Sequence, residues 1–393
     1  MARSQLLVAA LVPALFLGAA GSAAAQAPLD DVLTPYLTKH DLPALAAAVV
    51  RDGKVIAAGA VGTRKAGEKI PVTLDDRFHL GSDTKAMTAL LAAMFVDEGK
   101  LKWTSTLPDV FPKLAEKMDA DLKTVTLEQF LSHTSGVPSD SEPLVKLIEK
   151  TMSAEGNLDE LRYLVVEEWS KQPLASKPGA KFAYANMNFI FAGAMIERLA
   201  GKTWEELITE RVFAPLELKT AGLGCQASLG KVDAPLGHEF KDGKFKAFLA
   251  GPNGDNPAII GPAGNAHMSV LDFARWAGWN AGLGKRGPNL VKPETLKKLQ
   301  AKVISMPARK DAPPGTPPSG GYALGWGQLD VQWAPAPLIY HGGSNGKNLA
   351  HIWVDPQRDF AMVFMTNVSN LKTEPVLFKL AEELFKQYSV AKP

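Results

Sequence analysis

The chain contains 393 residues, of which 46% are hydrophobic and 21% are charged, a composition typical of a globular protein with one large core or two smaller ones. Its formal net charge is +2, from 43 basic and 41 acidic residues, which argues against a nucleic-acid-binding surface or a polybasic membrane patch. The N-terminus combines Arg3 with an apolar run and an Ala-x-Ala ending, so residues 1–25 are predicted to be a secretory signal peptide. The apolar run is shorter than the ~20 residues that a membrane span needs, so we expect a periplasmic or secreted protein without a stable membrane anchor.

The next predicted element is a β-hairpin over residues 45–62. Asp52-Gly53 lies between two β-prone runs, and this dipeptide readily supplies the positive φ angles of a tight turn. A helix is then predicted to begin at Ser82. From residue 86 to residue 96 its only polar residue is Thr88, and a helix that is apolar on every side belongs inside a protein.

Helices dominate the middle of the chain and strands dominate its end. Apolar residues at helical spacing predict helices within residues 157–173, 184–201 and 203–215. Short β-rich runs occupy 321–333, 337–343, 348–354 and 360–367, and a last helix covers 374–388. The Pro-rich stretch 307–321 is predicted to be a surface loop.

This order of elements predicts an α/β (α+β) fold of the β-lactamase/transpeptidase-like type. One antiparallel sheet is assembled from both chain ends and flanked by helices, with a helical domain inserted. The predicted sheet domain comprises residues 28–106 and 249–393, and the mainly helical domain comprises residues 107–248.

No metal or cofactor is expected. Cys225 is the only cysteine, which makes an intramolecular disulfide impossible and a cysteine-based metal site implausible. His238-Glu239 lacks the second histidine of a zinc-binding helix, and the other histidines are scattered.

Ser-x-x-Lys occurs five times, so the pattern alone is weak. The copies begin at Ser82, Ser228, Ser344, Ser369 and Ser389. Only the first opens a long apolar helix, where Lys85 must reach a polar cavity or lose its charge. A lysine whose pKa is lowered by burial can act as a base for a hydroxyl one turn away, whereas the alternative role for Ser82 is a simple helix N-cap.

Two competing motifs fail on their context. Gly-x-Ser-x-Gly around Ser344 matches a nucleophile elbow, but a strand rather than a helix follows it, and no acidic residue separates it from the only later histidine, His351. Gly201-Lys202-Thr203 resembles the end of a phosphate-binding loop, but Ile196 occupies the position of the required glycine.

Two further motifs give the pattern its specificity. Tyr184-x-Asn186 and His341-Gly342-Gly343 follow Ser82-x-x-Lys85 in the chain. In this order the three motifs resemble those of the class C β-lactamase-like serine hydrolases, a family that includes D-alanyl-D-alanine carboxypeptidases, D-amino-acid peptidases and esterases. The stretches LSHTSGVP (131–138) and PAGNAHMSVLDFARW (262–276) are also similar to family segments, and the resemblance covers nearly all of the mature chain.

The resemblance implies a role for each motif residue. Ser82 would attack a carbonyl and form an acyl-enzyme, while Lys85 and Tyr184 would share proton transfer, with the identity of the base left open. Asn186 would hydrogen-bond Lys85 and the substrate amide. The backbone N–H groups of Ser82 and Ser344 would form the oxyanion hole.

The third motif departs from the Lys-Thr-Gly of lactam-hydrolysing members. Gly342 and Gly343 leave the strand open to a substrate, but His341 is a weaker anchor for a substrate carboxylate than lysine is. His79 and His133 are expected to be structural. The chain is therefore predicted to be a secreted serine hydrolase acting on an ester, amide or D-peptide of a small molecule or peptide. The alternatives are a true β-lactamase, a D-alanyl-D-alanine carboxypeptidase, or a catalytically silent cell-envelope binding protein; the oligomeric state stays open.

Overall fold

A computed structural model describes residues 27–139, 142–152, 154–251, 254–306, 317, 320–370 and 372–390. The predicted signal peptide and nearly all of the predicted Pro-rich loop lie outside these residues. Within the described part of the chain, no helix has the length and apolar character needed to cross a membrane.

The strands come mainly from the two ends of the chain. They are β1 (Ala27–Pro28), β2 (Ala44–Arg51), β3 (Lys54–Gly62), β4 (Arg77–His79), β5 (Gly222–Leu223), β6 (Gly237–Lys241), β7 (Lys244–Phe248), β8 (Ala266–Ser269), β9 (Ile304–Met306), β10 (Gly320–Tyr322), β11 (Gly327–Leu329), β12 (Leu338–Ser344), β13 (Leu349–Asp355) and β14 (Phe360–Thr366).

The main sheet has the order β1-β3-β2-β14-β13-β12-β11-β10-β9, so the N-terminal and C-terminal strands meet where β2 pairs with β14. All of its pairings are antiparallel except that of β1 with β3. The predicted hairpin is confirmed: Asp52 and Gly53 join β2 to β3 with φ angles of 51° and 70°. The predicted fold class, a largely antiparallel sheet built from both chain ends, is therefore confirmed.

Most α-helices lie in the middle of the chain, one lies near each end, and together they cover both faces of the main sheet. They are α1 (Asp30–Lys39), α2 (Thr84–Asp97), α3 (Leu107–Val110), α4 (Leu127–Leu131), α5 (Glu142–Met152), α6 (Leu158–Trp169), α7 (Asn186–Ala200), α8 (Trp204–Ile208), α9 (Gly261–Gly264), α10 (Val270–Ala281), α11 (Pro293–Gln300) and α12 (Thr373–Tyr388). The ends of α7 and α8 follow their predicted signals. Gly201 ends α7 in the left-handed conformation, and the Thr203 side chain caps α8 by accepting the Glu206 N–H.

Strand β2 separates two hydrophobic cores because its side chains alternate between the faces of the sheet. Ala44, Ala46, Ala48 and Val50 belong to the larger core, whereas Leu45, Ala47 and Val49 belong to the smaller one. Helix α10 packs on the first face, and α1 and α12 pack on the second. The small alanines let both helix layers approach closely.

Helix α2 lies inside the larger core, as its composition predicts. Its first twelve residues are all buried, and it packs against α7, α9 and α11. One local prediction is wrong: the α-helix begins at Thr84, and Ser82 lies in a preceding 3₁₀ turn, Gly81–Asp83. Gly81 has a φ of 51°, so the chain turns sharply from β4 and presents Ser82 at the end of the helix.

Candidate active site

The end of α2 brings the first two motif residues together. Lys85 is fully buried, whereas Ser82 is partly exposed. Lys85 Nζ lies 3.1 Å from Ser82 Oγ, within hydrogen-bonding distance. This pair therefore combines a hydroxyl that solvent can reach with an amine that solvent cannot reach.

Two carbonyl oxygens fix the position of the Lys85 amine. It donates to Asn186 Oδ1 and to the backbone oxygen of Ala263, each at 2.7 Å. Asn186 is the first residue of α7, and Ala263 lies in α9, so the two acceptors come from separate elements packed on α2. The adjacent Thr88 hydroxyl donates to Pro262 O at 2.7 Å, which holds the same α9 segment against the helix.

Tyr184 lies beside Lys85 and is held by the segment around His133. The Lys85 Nζ is 4.8 Å from the centre of the Tyr184 ring. The centres of the His133 and Tyr184 rings are 4.2 Å apart, and the two ring planes are tilted by 34°. His133 O accepts the N–H of Ala183 at 2.8 Å, and its Nδ1 accepts the N–H of Ala185 at 3.3 Å. The backbone on both sides of Tyr184 is thus bonded to one buried histidine.

His133 adopts an uncommon conformation and is electrically neutral. Its φ is 56°, a left-handed value that costs a non-glycine residue energy and persists only where the surrounding structure enforces it. Burial lowers the pKa of its imidazole well below the usual value, and the charge of Lys85 lowers it further.

His341 lies on β12, buried between two polar side chains. Its Nε2 is 2.9 Å from the Tyr322 hydroxyl, and its Nδ1 is 3.5 Å from Asp83 Oδ1. Burial, assisted by the charge of Lys85, lowers the pKa of His341 to about 3, so the imidazole is neutral at pH 7. Burial also raises the pKa of the Asp83 carboxyl well above its usual value.

Gly343 on β12 and Gly81 allow β12 to approach the Ser82 turn closely, whereas a side chain at Gly342 would meet the Tyr340 hydroxyl instead. A side chain at Gly343 would overlap Leu80 O and come within 2.7 Å of the Ser82 nitrogen. A side chain at Gly81 would overlap the Ser344 nitrogen. The backbone amides of Ser82 and Ser344 therefore belong to two segments in direct backbone contact.

A buried arginine holds the chain that leads to Ala263. Arg162 on α6 is fully buried and pairs with Glu197 and Glu205. It also donates to Ala258 O and Ile259 O, at 3.0 and 3.1 Å. The Ala263 carbonyl that binds Lys85 thus lies four residues beyond Ile259, in a segment fixed by charged hydrogen bonds.

Several of these contacts escape sequence reasoning. The Ala263 contact uses a backbone oxygen, which has no residue signature, although its segment was among the stretches similar to the family. The sequence places Tyr322 in a strand but does not indicate its contact with His341. Asp83 could have been noticed because it stands inside Ser-x-x-Lys on a helix otherwise expected to be buried.

The main sheet is built from strands of both chain ends and carries helices on each face. This arrangement defines the β-lactamase/transpeptidase class of fold. It superposes on the octameric penicillin-binding protein homologue from Pyrococcus abyssi with a TM-score of 0.72 at 22% identity, covering 91% of this chain and 76% of that one. It also superposes on SurE with a TM-score of 0.72 at 21% identity, covering 93% and 76%.

The sequence model of the beta-lactamase family matches residues 29–384, and the chain belongs to this family. It is 24% identical over 355 residues to Protein flp of Staphylococcus aureus strain MW2, covering 88% of this chain but only 64% of that protein. The chain thus spans less than two thirds of this relative. It is 26% identical over 339 residues to Penicillin-binding protein 4 of Amycolatopsis lactamdurans, covering 84% of this chain and 82% of the relative.

Proposed function

We propose that this protein is a secreted serine hydrolase that cleaves an ester, amide or D-peptide bond through an acyl-enzyme on Ser82. The observation that carries the proposal is the environment of Lys85, a fully buried amine 3.1 Å from Ser82 Oγ. Secretion follows from the predicted signal peptide. Membership in the beta-lactamase family, which typically contains serine acyl-transferases and hydrolases, supports the reaction class.

The hydrogen bonds of Lys85 suit it to act as the base. A neutral amine has two N–H groups and one lone pair, and carbonyl oxygens can only accept hydrogen bonds. In its neutral form, Lys85 can donate its two N–H groups to Asn186 Oδ1 and Ala263 O and accept the proton of the Ser82 hydroxyl, 3.1 Å away, at its lone pair.

Acylation then follows from these positions. Ser82 Oγ attacks the substrate carbonyl carbon as its proton moves to Lys85 Nζ. The carbonyl oxygen becomes an oxyanion between the backbone N–H groups of Ser82 and Ser344. When the tetrahedral intermediate collapses, the bond to the leaving group breaks and the leaving group takes a proton from the Tyr184 hydroxyl, which is in turn reprotonated by Lys85 Nζ in our proposal. Lys85 is then neutral again and accepts a proton from a water molecule as that water attacks the acyl carbon. The bond to Ser82 Oγ breaks, Oγ recovers a proton from Lys85, and the acid is released.

The neutral state of His341 favours substrates without a carboxylate next to the reacting bond. With a pKa of about 3, its imidazole offers no positive charge at pH 7. A penicillin or a terminal D-alanine carries such a carboxylate. We therefore place neutral esters and amides ahead of β-lactams and D-alanyl-D-alanine peptides.

The proposal is tested by covalent labelling. Intact-mass spectra of the purified protein treated with a fluorophosphonate should show one added phosphonyl group, which Ser82→Ala should abolish. Equal labelling of wild type and Ser82→Ala, or no labelling of either, would refute the acyl-enzyme mechanism and favour a silent binding protein.

A second measurement separates the substrate classes. Rapid cleavage of p-nitrophenyl acetate with slow nitrocefin turnover is expected. Fast nitrocefin turnover would instead identify a β-lactamase, and release of D-alanine from a D-alanyl-D-alanine peptide would identify a carboxypeptidase.

A further inference from the structure

We propose that Asp255 is a positioning residue that, through His79 and Asn345, ties together the two backbone segments of the oxyanion hole. This inference rests on the proposed hydrolase function. The two segments, at Ser82 and at Ser344, lie about 260 residues apart in the sequence. Their amides must nevertheless point at one oxygen atom, at 2.7–3.1 Å, to stabilise a transition state.

The first half of the bridge is His79, at the end of β4. Its Nδ1 accepts the N–H of Gly81 at 3.0 Å, so the ring proton must reside on Nε2. Nε2 lies 2.8 Å from Asp255 Oδ1, and the ring is completely buried. A buried carboxylate facing one ring nitrogen fixes both the tautomer and the orientation of a histidine. His79 therefore connects the residue before Ser82 to Asp255.

The second half is Asn345, the residue after Ser344. Its Nδ2 donates to the same Asp255 Oδ1 at 3.1 Å. Its Oδ1 accepts the backbone N–H groups of Lys347 and Asn348, at 3.2 and 2.9 Å, which fixes the turn after β12. One carboxylate oxygen thus receives a contact from each side of the oxyanion hole.

The charge of Asp255 suits this role. The side chain is 7% exposed, and burial alone would raise its pKa. The contacts with His79, with Asn345 and with the Asn256 N–H, which donates to Oδ1 at 2.7 Å, outweigh burial. The pKa of Asp255 is therefore lowered, and the carboxylate is ionised at neutral pH. An ionised acceptor binds its donors more strongly than a neutral one does.

The bridge has a specific consequence for catalysis. Both acylation and deacylation pass through an oxyanion, so misaligned amides should slow both steps and lower kcat while leaving substrate binding nearly intact. Removal of one oxyanion-hole donor costs about 10²–10³ in rate. Loss of the bridge should cost less, roughly 10- to 100-fold, because the amides themselves remain.

The experiment measures kcat and KM for p-nitrophenyl acetate in Asp255→Ala, Asp255→Asn and Asn345→Ala, each with its thermal midpoint. Asp255→Ala and Asn345→Ala should lower kcat 10- to 100-fold with KM within threefold. Asp255→Asn keeps an oxygen that can accept both contacts and should stay within about fivefold of wild type. The matched control is Asp233→Ala, since Asp233 is a partly exposed carboxylate whose partners are Arg77 on β4 and Ser228.

The outcomes separate positioning from simple structural support. A lower thermal midpoint with unchanged kcat in Asp255→Ala would overturn the inference, as would a rise in KM alone or an equal loss in Asp255→Asn and Asp255→Ala. If Asp255→Ala does not fold, Asn345→Ala supplies the same test from the other side of the bridge. Failure of the proposed function itself is recognised separately, because wild type would then show no Ser82-dependent labelling by the fluorophosphonate.

Discussion

Lys85→Met tests the proposed base with little change in shape. Methionine replaces an unbranched chain by another of similar length and removes the amine. The buried helix α2 should accept methionine, since its first twelve residues are all apolar apart from Lys85 and two threonines, and methionine fills irregular core space well. The lost group is the one that lies 3.1 Å from Ser82 Oγ.

The expected loss of activity follows from what a base contributes. A positioned general base accelerates a reaction by roughly 10²–10⁴, or about 2.7–5.5 kcal/mol of barrier. Stability should change less. Asn186 Oδ1 and Ala263 O lose their donor, at about 1–3 kcal/mol each, but the cost of burying an amine that can carry charge disappears as well.

The assay is the rate of phosphonylation of Ser82 by a fluorophosphonate, followed by intact mass, alongside urea unfolding. Lys85→Met should react at least 100-fold more slowly than wild type while unfolding at a comparable urea concentration. Lys202→Met is the control, because Lys202 is exposed and pairs only with surface glutamates in the described part of the chain. Labelling of Lys85→Met within threefold of the wild-type rate would refute Lys85 as the base.

Three further outcomes are expected. Arg162→Met leaves Glu197 buried without its partner and should lower the free energy of unfolding by about 3–5 kcal/mol in urea titration; a change under 1 kcal/mol would contradict the anchoring role. His341→Lys should raise the ratio of kcat/KM for nitrocefin to that for p-nitrophenyl acetate by about 10-fold or more, since a charged hydrogen bond to a carboxylate is worth about 1.5–3 kcal/mol. An unchanged ratio would contradict the role of residue 341 in selecting against substrates with a carboxylate. Burial lowers the pKa of His351 to about 3, so its contribution to stability is retained above pH 6.5 and lost as the pH falls from 6.5 towards 3. In urea titrations at several pH values, His351→Phe should therefore weaken the decrease in the free energy of unfolding with falling pH. The same decrease in wild type and variant would exclude His351 as a source.

The secondary structure was predictable where one local signal dominates. Asp52-Gly53 determines the turn of the β2–β3 hairpin, because few other dipeptides adopt two positive φ angles easily. The run from residue 86 to residue 96, in which Thr88 is the only polar residue, predicts a buried helix, since no polar face exists to meet water. The exact start of α2 was missed because Gly81 allows an extra 3₁₀ turn, which composition does not reveal.

Only those site residues whose side chains have distinctive chemistry could be predicted from the sequence. The three motifs place Ser82, Lys85, Asn186 and His341 in the chain, but their surroundings depend on contacts between distant segments. Ala263 contributes only a carbonyl oxygen, and any residue could do so. Tyr322 meets His341 from a different strand, and no local spacing encodes that contact.

The Ser-x-x-Lys copies at Ser82 and Ser344 show that the surroundings of the lysine, rather than its spacing from the serine, decide whether it can act as a base. In the copy at Ser344, Lys347 lies 4.9 Å from the Phe248 ring centre, and the Ser344 hydroxyl donates to Ser369 Oγ at 2.8 Å. Ser344 is exposed, so water competes for its hydroxyl, and Lys347 is only partly buried. Lys85 has the same spacing from its serine but is enclosed by a buried helix and bound to two carbonyl oxygens. Since a pattern of four residues cannot specify such enclosure, the apolar run that follows Lys85 is the part of the sequence that distinguishes a base from a surface cation.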